Sequence, residues 1–272
     1  LKLKISTPQL EDGEYRTFQK IIFKEAGIVL NETKKSLVQN RLLKKLLEYG
    51  FETYTEYLRL VQINQFEKTE MVNLLTTNET YFFRELDHFE FIQKELLPHY
   101  QIKNKFRVWS AAASVGAEAY STAMLLDSVL SKTNWEIVGT DINTEVIQKA
   151  RIGLYPESWV EKIPTHLRKR YCLKGKGEHE GKFLIDRSLI PNMKFEQANL
   201  LDLNNDLGEF DLIFLRNVLI YFDNVTRQKV VDGVLKYLQP GGYFFISHTE
   251  NLNMINVDQL EQVKTAIYRK KG

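Results

Sequence analysis

One cysteine in 272 residues, Cys172, leaves no internal disulfide framework. A disulfide-stapled scaffold is therefore excluded, and a reducing compartment fits. Lys169, Arg170 and Lys174 lie near Cys172, but a reactive thiol also needs an electropositive pocket. No apolar run approaches the ~20 residues of a membrane-spanning helix. The N-terminus lacks the charged, apolar and small-residue succession of a signal peptide, so a cytoplasmic location is expected. Excess charge is missing too. Thirty-seven basic against 35 acidic residues give +2, which does not mark a nucleic-acid binder. The five histidines show neither HExxH nor Cys/His metal spacing, and no metal site is evident. His88 and His248 read as satisfied structural histidines. Phosphate-binding GxxxxGK[ST], nucleophile-elbow GxSxG and dinucleotide GxGxxG signatures are also absent.

What is present is a chain able to bury a sizeable core, with 43% hydrophobic and 26% charged residues. Its length allows one large domain or two modest ones. Residues 1 to about 75 read as a small helical bundle. Tyr15, Phe18, Ile21, Ile22 and Phe23 recur at helical spacing until Gly27. Asn31 to Thr33 start a second helix that Gly50 closes, and two more run from Tyr54 to about Val61 and from Phe66 to Leu75. In the second, Lys34, Arg41 and Lys45 fall within about 40° of one another at 100° per residue, with Leu43, Leu46 and Leu47 directed elsewhere. Two readings of that basic stripe stand: a solvated face, or a docking surface for an acidic partner.

From Phe106 the texture changes to alternating strands and helices. Strands are expected at 106–110, 136–140, 194–197, 210–215 and 243–247, with a closing hairpin at 259–263 and 266–269. Helices are expected at 118–130, 145–152 and 225–238, the last broken by Pro240-Gly241-Gly242. This alternation predicts an α/β fold with a mostly parallel sheet. Residues 155–190 interrupt it; Tyr171 to Leu173 and Lys182 to Ile185 flank glycines as two arms of a β insertion. Residues 76–85 read as a helix start capped by Thr or Asn.

Ligands of such sheets bind outside the carboxyl ends of the strands. After the first strand, the small residues Ala111 to Ala113 either let a ligand approach the backbone at a helix N-terminus, with Ala113 a candidate contact and Glu118 nearby, or simply make a tight strand-to-helix turn. After the second stands Asp141, placed to accept hydrogen bonds from the hydroxyls of a ribose, or to cap a helix. After the third come Asn199 and Leu200, a polar–apolar pair suited to the edge and face of an adenine. After the fourth come Arg216 and Asn217, costly beside a buried strand unless a ligand or each other satisfies them. Tyr221 follows within the same turn.

Five stretches, in this order and spacing, resemble the CheR-type chemotaxis receptor protein-glutamate O-methyltransferases: TNETYFFRE (77–85), RVWSAAAS (107–114), GTDIN (139–143), ARIGLY (150–155) and LRNVLIYFD (215–223). The resemblance implies an S-adenosylmethionine-dependent methyltransferase with a Rossmann-like, mostly parallel seven-stranded sheet. It also implies an N-terminal helical receptor-docking domain (1–75), a linker contributing cofactor contacts (76–104), and a methyltransferase domain (105–272) carrying a small antiparallel β subdomain at about 155–190. By the same resemblance, Asn78, Thr80, Arg84, Glu118, Asp141, Asn199, Leu200, Arg216 and Asn217 reach S-adenosylmethionine or its product S-adenosylhomocysteine. Arg84 and Tyr221 flank the methyl-transfer position. Lys34, Arg41 and Lys45 meet the receptor, and the 175–181 loop resembles one that grips a receptor tail peptide. The expected partners are thus the cytoplasmic helices of methyl-accepting chemotaxis receptors, with a monomeric enzyme and neither nucleic acid nor membrane insertion.

One loop departs from the family pattern. Val115, Ala117 and Ala119 stand where a hydroxyl, a carboxylate and a proline are usual. Losing a carboxylate beside a cationic sulfonium weakens its binding, and a non-catalytic cofactor-binding scaffold is the alternative that follows. A nucleic-acid or small-molecule methyltransferase is a third reading. It lacks support, because Arg216-Asn217-Val218 occupies the place of the [DN]PP[YFW] segment of amine methylation.

Overall fold

The computed structural model describes residues 8–99, 105–130, 134–203 and 206–272. The far ends of the expected helical domain and linker, residues 1–7 and 100–104, lie outside these. The chain divides into two compact units. One comprises the residues up to Thr77 together with Tyr221–Asp223, and the other holds the rest.

The first unit contains α1 (Asp12–Ala26), α2 (Lys35–Tyr49), α3 (Tyr54–Ile63) and α4 (Gln65–Leu75). Their ends follow local chemistry. The Glu14 carboxylate accepts from the Glu11 N–H ahead of α1, at 2.9 Å. Thr53 and Glu56 form a capping box at α3. Asn64 Oδ1 accepts from the Phe66 and Glu67 N–H groups of α4. Gly27 and Gly50 close α1 and α2 in left-handed conformations, φ 71° and 69°. Phe18, Val38, Leu42, Leu46, Tyr54, Tyr57 and Val61 fill the core.

The basic stripe does not survive as a surface. Lys34 belongs to a 3₁₀ turn (Glu32–Lys34) that precedes α2, so the helical phase linking it to Arg41 and Lys45 does not hold. Lys34 is exposed. Arg41 caps the end of α4, its guanidinium donating to the Leu75 and Thr76 carbonyls at 3.0 and 2.8 Å. Lys45 is buried and reaches Glu67 at 3.2 Å, with Glu48 at 3.4 Å and Glu70 at 3.6 Å. Leu47, expected in the core, is 70% exposed, while Leu46 is buried.

The second unit is built on a seven-stranded sheet. Its strands are β1 (Phe106–Ser110), β2 (Trp135–Asp141), β6 (Met193–Gln197), β7 (Phe210–Phe214), β8 (Leu238–Phe245), β9 (Leu260–Lys264) and β10 (Ile267–Lys270), in the order β6-β2-β1-β7-β8-β10-β9. The first five are mutually parallel; β10 runs antiparallel to both neighbours. All five residues of β7 are buried, as befits a parallel strand covered on both faces. β8 begins at Leu238, before the expected break, and accommodates Pro240-Gly241-Gly242 with a register shift against β7. Helices α6 (Ala117–Val129), α7 (Thr144–Ile152) and α9 (Asn224–Leu235) follow β1, β2 and β7. Connections leave β1 toward β2 on one side, and β7 lies on the other, so the topological switch falls between β1 and β7.

A separate antiparallel sheet, in the order β3-β5-β4, comprises β3 (Leu154–Pro156), β4 (Cys172–Lys174) and β5 (Lys182–Ile185). Between β3 and β4 lie a 3₁₀ turn (Glu157–Lys162) and α8 (Thr165–Tyr171). Burial pushes the Cys172 thiol up to about 12, so it stays protonated and unreactive at neutral pH.

Candidate active site

Residues 76–85 are not a helix start. The segment runs in loop and turn conformation, and the next helix, α5 (Leu86–Phe91), begins only after Glu85. Among the described residues, five non-glycines have positive φ: Phe83 (54°), Glu85 (59°), Ser114 (51°), Asn217 (58°) and Ala266 (61°). The first four lie in the segments after β1, after β7 and just before α5. Backbone strain of this kind collects where side chains must be aimed for function.

The switch point holds a connected charge network. Glu118, in the first turn of α6, accepts from Ser110 Oγ at 2.6 Å and from Arg216 Nη1 at 3.1 Å. Arg216 Nη2 reaches Glu85 Oε2 at 3.1 Å and donates to the Arg84 carbonyl at 2.5 Å. Glu85 also accepts from Ser247 Oγ, which in turn accepts from Asn217 Nδ2 at 2.7 Å. The backbone N–H groups of Asn217 and Ser247 both donate to Glu250 Oε2 at 2.9 Å. Burial raises Glu118 above the usual carboxylate range despite the neighbouring guanidinium.

One strand along, Asp141 accepts from the Ser114 N–H and the Asn143 N–H, both at 2.9 Å. Burial raises it too, against those backbone donors. Asn143, not Asp141, caps α7. Ser114 Oγ donates to the Asn78 carbonyl at 2.8 Å, which ties the 76–85 segment to the loop after β1. Ala113 is buried, its N–H held by the Thr140 carbonyl. A side chain at Gly139 would meet the Phe195 ring at 2.7 Å, so this strand must pass bare. Asn199 and Leu200 follow β6, with Asn199 Oδ1 turning the chain onto the Leu201 N–H. Thr80 lies half-buried between Asn78 and Arg84.

The candidates at 78, 80, 84, 113, 118, 141, 199, 200, 216 and 217 thus belong to one unit. They lie in the loop segment tied to the sheet, or at and beyond the carboxyl ends of β6, β2, β1 and β7. Lys34, Arg41 and Lys45 belong to the helical unit. Tyr221 groups there as well, its carbonyl accepting from the Val29 N–H at 2.9 Å.

Glu85, Ser247 and Glu250 are members of the network that sequence reasoning passed over. Ser247 and Glu250 follow a strand's carboxyl end, which was the available signal. His88 departs from expectation: it is fully buried, yet neither ring nitrogen has a hydrogen-bond partner among the described residues. Glu85 Oε2 stands 3.6 Å from its Nδ1, too far for a hydrogen bond. Glu85, His88 and His248 bring a carboxylate and two imidazoles within 4.8 Å, a metal-ligand set by type. The Arg216 guanidinium on the same carboxylate opposes a cation there. Burial, aided by Arg216, pulls His88 down to about 4, so it is neutral at pH 7.

Residues 78–269 match the family described as "CheR methyltransferase, SAM binding domain", and residues 13–76 match "CheR methyltransferase, all-alpha domain". The chain belongs to the CheR methyltransferase family. Among its relatives, a chemotaxis protein methyltransferase of Escherichia coli is 38% identical over 250 residues, 90% of this chain and 86% of that protein. One from Salmonella typhimurium is 37% identical over 249 residues, covering 90% and 85%. One from Borreliella burgdorferi is 34% identical over 264 residues, covering 92% of each. The chain is accordingly an S-adenosylmethionine-dependent methyltransferase. Its donor set fits that group: the half-buried carboxylates of Asp141, at the end of β2, and Glu118, in the first turn of the helix after β1, suit a ribose diol, an ammonium and a positively charged sulfur. No helix among the described residues is long and apolar enough to cross a membrane.

Proposed function

We propose that this enzyme methylates glutamate side-chain carboxylates of chemotaxis receptors, forming glutamyl methyl esters. The observation that carries the reading is the state of Arg84. Its guanidinium donates to the Glu79 carbonyl and lies near the Tyr81 ring, with no carboxylate partner among the described residues. Its own carbonyl is held by Arg216, which is paired with Glu118. An uncompensated cation is thereby fixed beside the proposed cofactor site, where an anionic acceptor is required.

Bound S-adenosylmethionine supplies a methyl group activated by a positive sulfur. Glutamate, with an ordinary pKa of about 4.3, is already ionised near neutral pH, so the protein need not remove a proton. Its task is positioning and exclusion of water. Asn78, Thr80, Ala113, Glu118, Asp141, Asn199, Leu200, Arg216 and Asn217 hold the cofactor in this reading. Arg84 orients the acceptor carboxylate, and Tyr221 serves the methyl transfer by the family resemblance. Exposed Lys34 faces the receptor, while Lys45, buried in its ion pair, does not. The receptor's helices are cytoplasmic, and the enzyme acts there as a monomer; the β subdomain holds a receptor tail peptide.

Transfer of labelled methyl groups to receptor-containing membranes, followed by base release of methanol, tests the assignment. Arg84→Ala is expected to lower turnover about 100-fold or more, with S-adenosylhomocysteine affinity changed only a few-fold. Cofactor binding without any base-labile label would favour the non-catalytic scaffold.

A further inference from the structure

The surface next to Arg84 holds a second cation that the reading above leaves unused. Phe82 is fully buried, edge-on to Tyr155 at 4.9 Å and to Trp159 at 6.4 Å, and 5.7 Å from Phe183. These contacts staple the 76–85 segment to the β subdomain. They bring the adjoining Tyr81, 42% exposed, beside the 3₁₀ turn that ends at Lys162. The Tyr81 ring then has two cations on it: the Arg84 guanidinium carbon lies 5.7 Å from the ring centroid, and Lys162 Nζ lies 5.8 Å from it. Both are within the reach of a cation–π contact.

Two like charges gathered on one ring repel each other, and proteins ordinarily relieve this with a carboxylate. Glu85 adjoins Arg84 in sequence but is paired with Arg216, and Asp87 is paired with His248; that leaves Glu79 and Glu161, both exposed. Neither pairs with Arg84 or Lys162 among the described residues; Glu79 contributes only its carbonyl. The positive charge is left facing solvent, next to the residue assigned to the acceptor.

We propose that Lys162 is a second substrate-binding cation. With Arg84 it forms a seat across Tyr81 for an acidic acceptor segment. Arg84 takes the carboxylate to be esterified, and Lys162 takes a neighbouring one. The proposal rests on the receptor-methylation reading and names how that site selects its substrate.

Steady-state methylation of receptor membranes by the full chain tests it, with S-adenosylhomocysteine binding measured in parallel. Lys162→Glu is expected to raise KM for receptor roughly five- to tenfold, with kcat within about twofold. Lys162→Arg restores the wild-type KM, and Lys162→Ala gives an intermediate rise. KM becomes less sensitive to salt in the Ala variant, because a screened attraction has been removed. S-adenosylhomocysteine affinity stays at the wild-type value in all three, which a loss of structure would not allow. An unchanged KM in Lys162→Glu overturns the proposal while leaving the methylation reading intact. A wild-type enzyme that forms no base-labile ester removes the reading, and the proposal with it.

Discussion

Two carboxylates, each paired with a buried cation and one in each unit, show the same chemistry put to different uses. Glu67 in the helical unit is inaccessible to solvent. It accepts from Lys45 at 3.2 Å, Tyr49 at 2.6 Å and Tyr57 at 3.2 Å, so its burial is met on every side. Lys45 stays charged because Glu67 and Glu48 outweigh the burial that works against it. Glu118 in the sheet unit also has a cation and a hydroxyl, but the groups around its partners are incomplete. Arg216 Nε, both His88 nitrogens and Glu250 Oε1 lack hydrogen-bond partners among the described residues. A satisfied buried cluster holds a fold together, whereas an unsatisfied one is prepared for something else.

Breaking the satisfied cluster should have the largest effect on stability. Glu67→Ala leaves Lys45 buried with only its weaker carboxylate neighbours, at an expected cost of about 3 kcal/mol. Hydrogen exchange of α2 and α4 amides measures it, and catalysis by the folded fraction should be unaffected. The second test is a pH titration of His88. Its folded pKa of about 4 lies below its ordinary value, so its contribution to stability is complete above about 6.5 and is lost as pH falls toward 4. The loss should reach about 2–3 kcal/mol and vanish in His88→Gln. Trp109, Trp135 and Trp159, the chain's three tryptophans, all lie in the sheet unit, so fluorescence reports its unfolding alone.

A smaller effect is expected at Glu118, on binding. Because burial raises its pKa, cofactor affinity should increase with pH above the ordinary carboxylate range, as the ionised form becomes dominant. Glu118→Gln should flatten that profile and cost roughly tenfold in affinity by calorimetry. The smallest effect belongs to Lys34→Glu: exposed charge acts weakly, so receptor KM should rise only about twofold, with no change in stability.

The strand pattern was legible because parallel strands announce themselves as short apolar runs. β1 falls where the sequence places it, at 106–110, and β7 ends one residue earlier than expected. The expectation that informative residues follow each strand led to Asp141 and Arg216. Other features stayed hidden because they depend on residues far apart in the chain. Lys45 looked like surface, since its partner Glu67 lies 22 positions away on another helix. His88 and His248 looked unrelated until the fold set their rings 4.8 Å apart. Residues 76–85 looked like a helix start because capping residues and strained-loop residues are the same types, and only the positive φ values of Phe83 and Glu85 separate them.

The membership of Tyr221–Asp223 in the helical unit has a consequence for biosynthesis. The other residues of that unit end at Thr77, so more than 140 further residues must be translated before the Val29 N–H can meet its carbonyl acceptor. At about 5–20 residues per second, the helices wait roughly 7–29 s on the ribosome for that short segment. During this interval the nascent helical unit lacks a piece of itself, and a pause in translation within the β-subdomain codons would lengthen the wait.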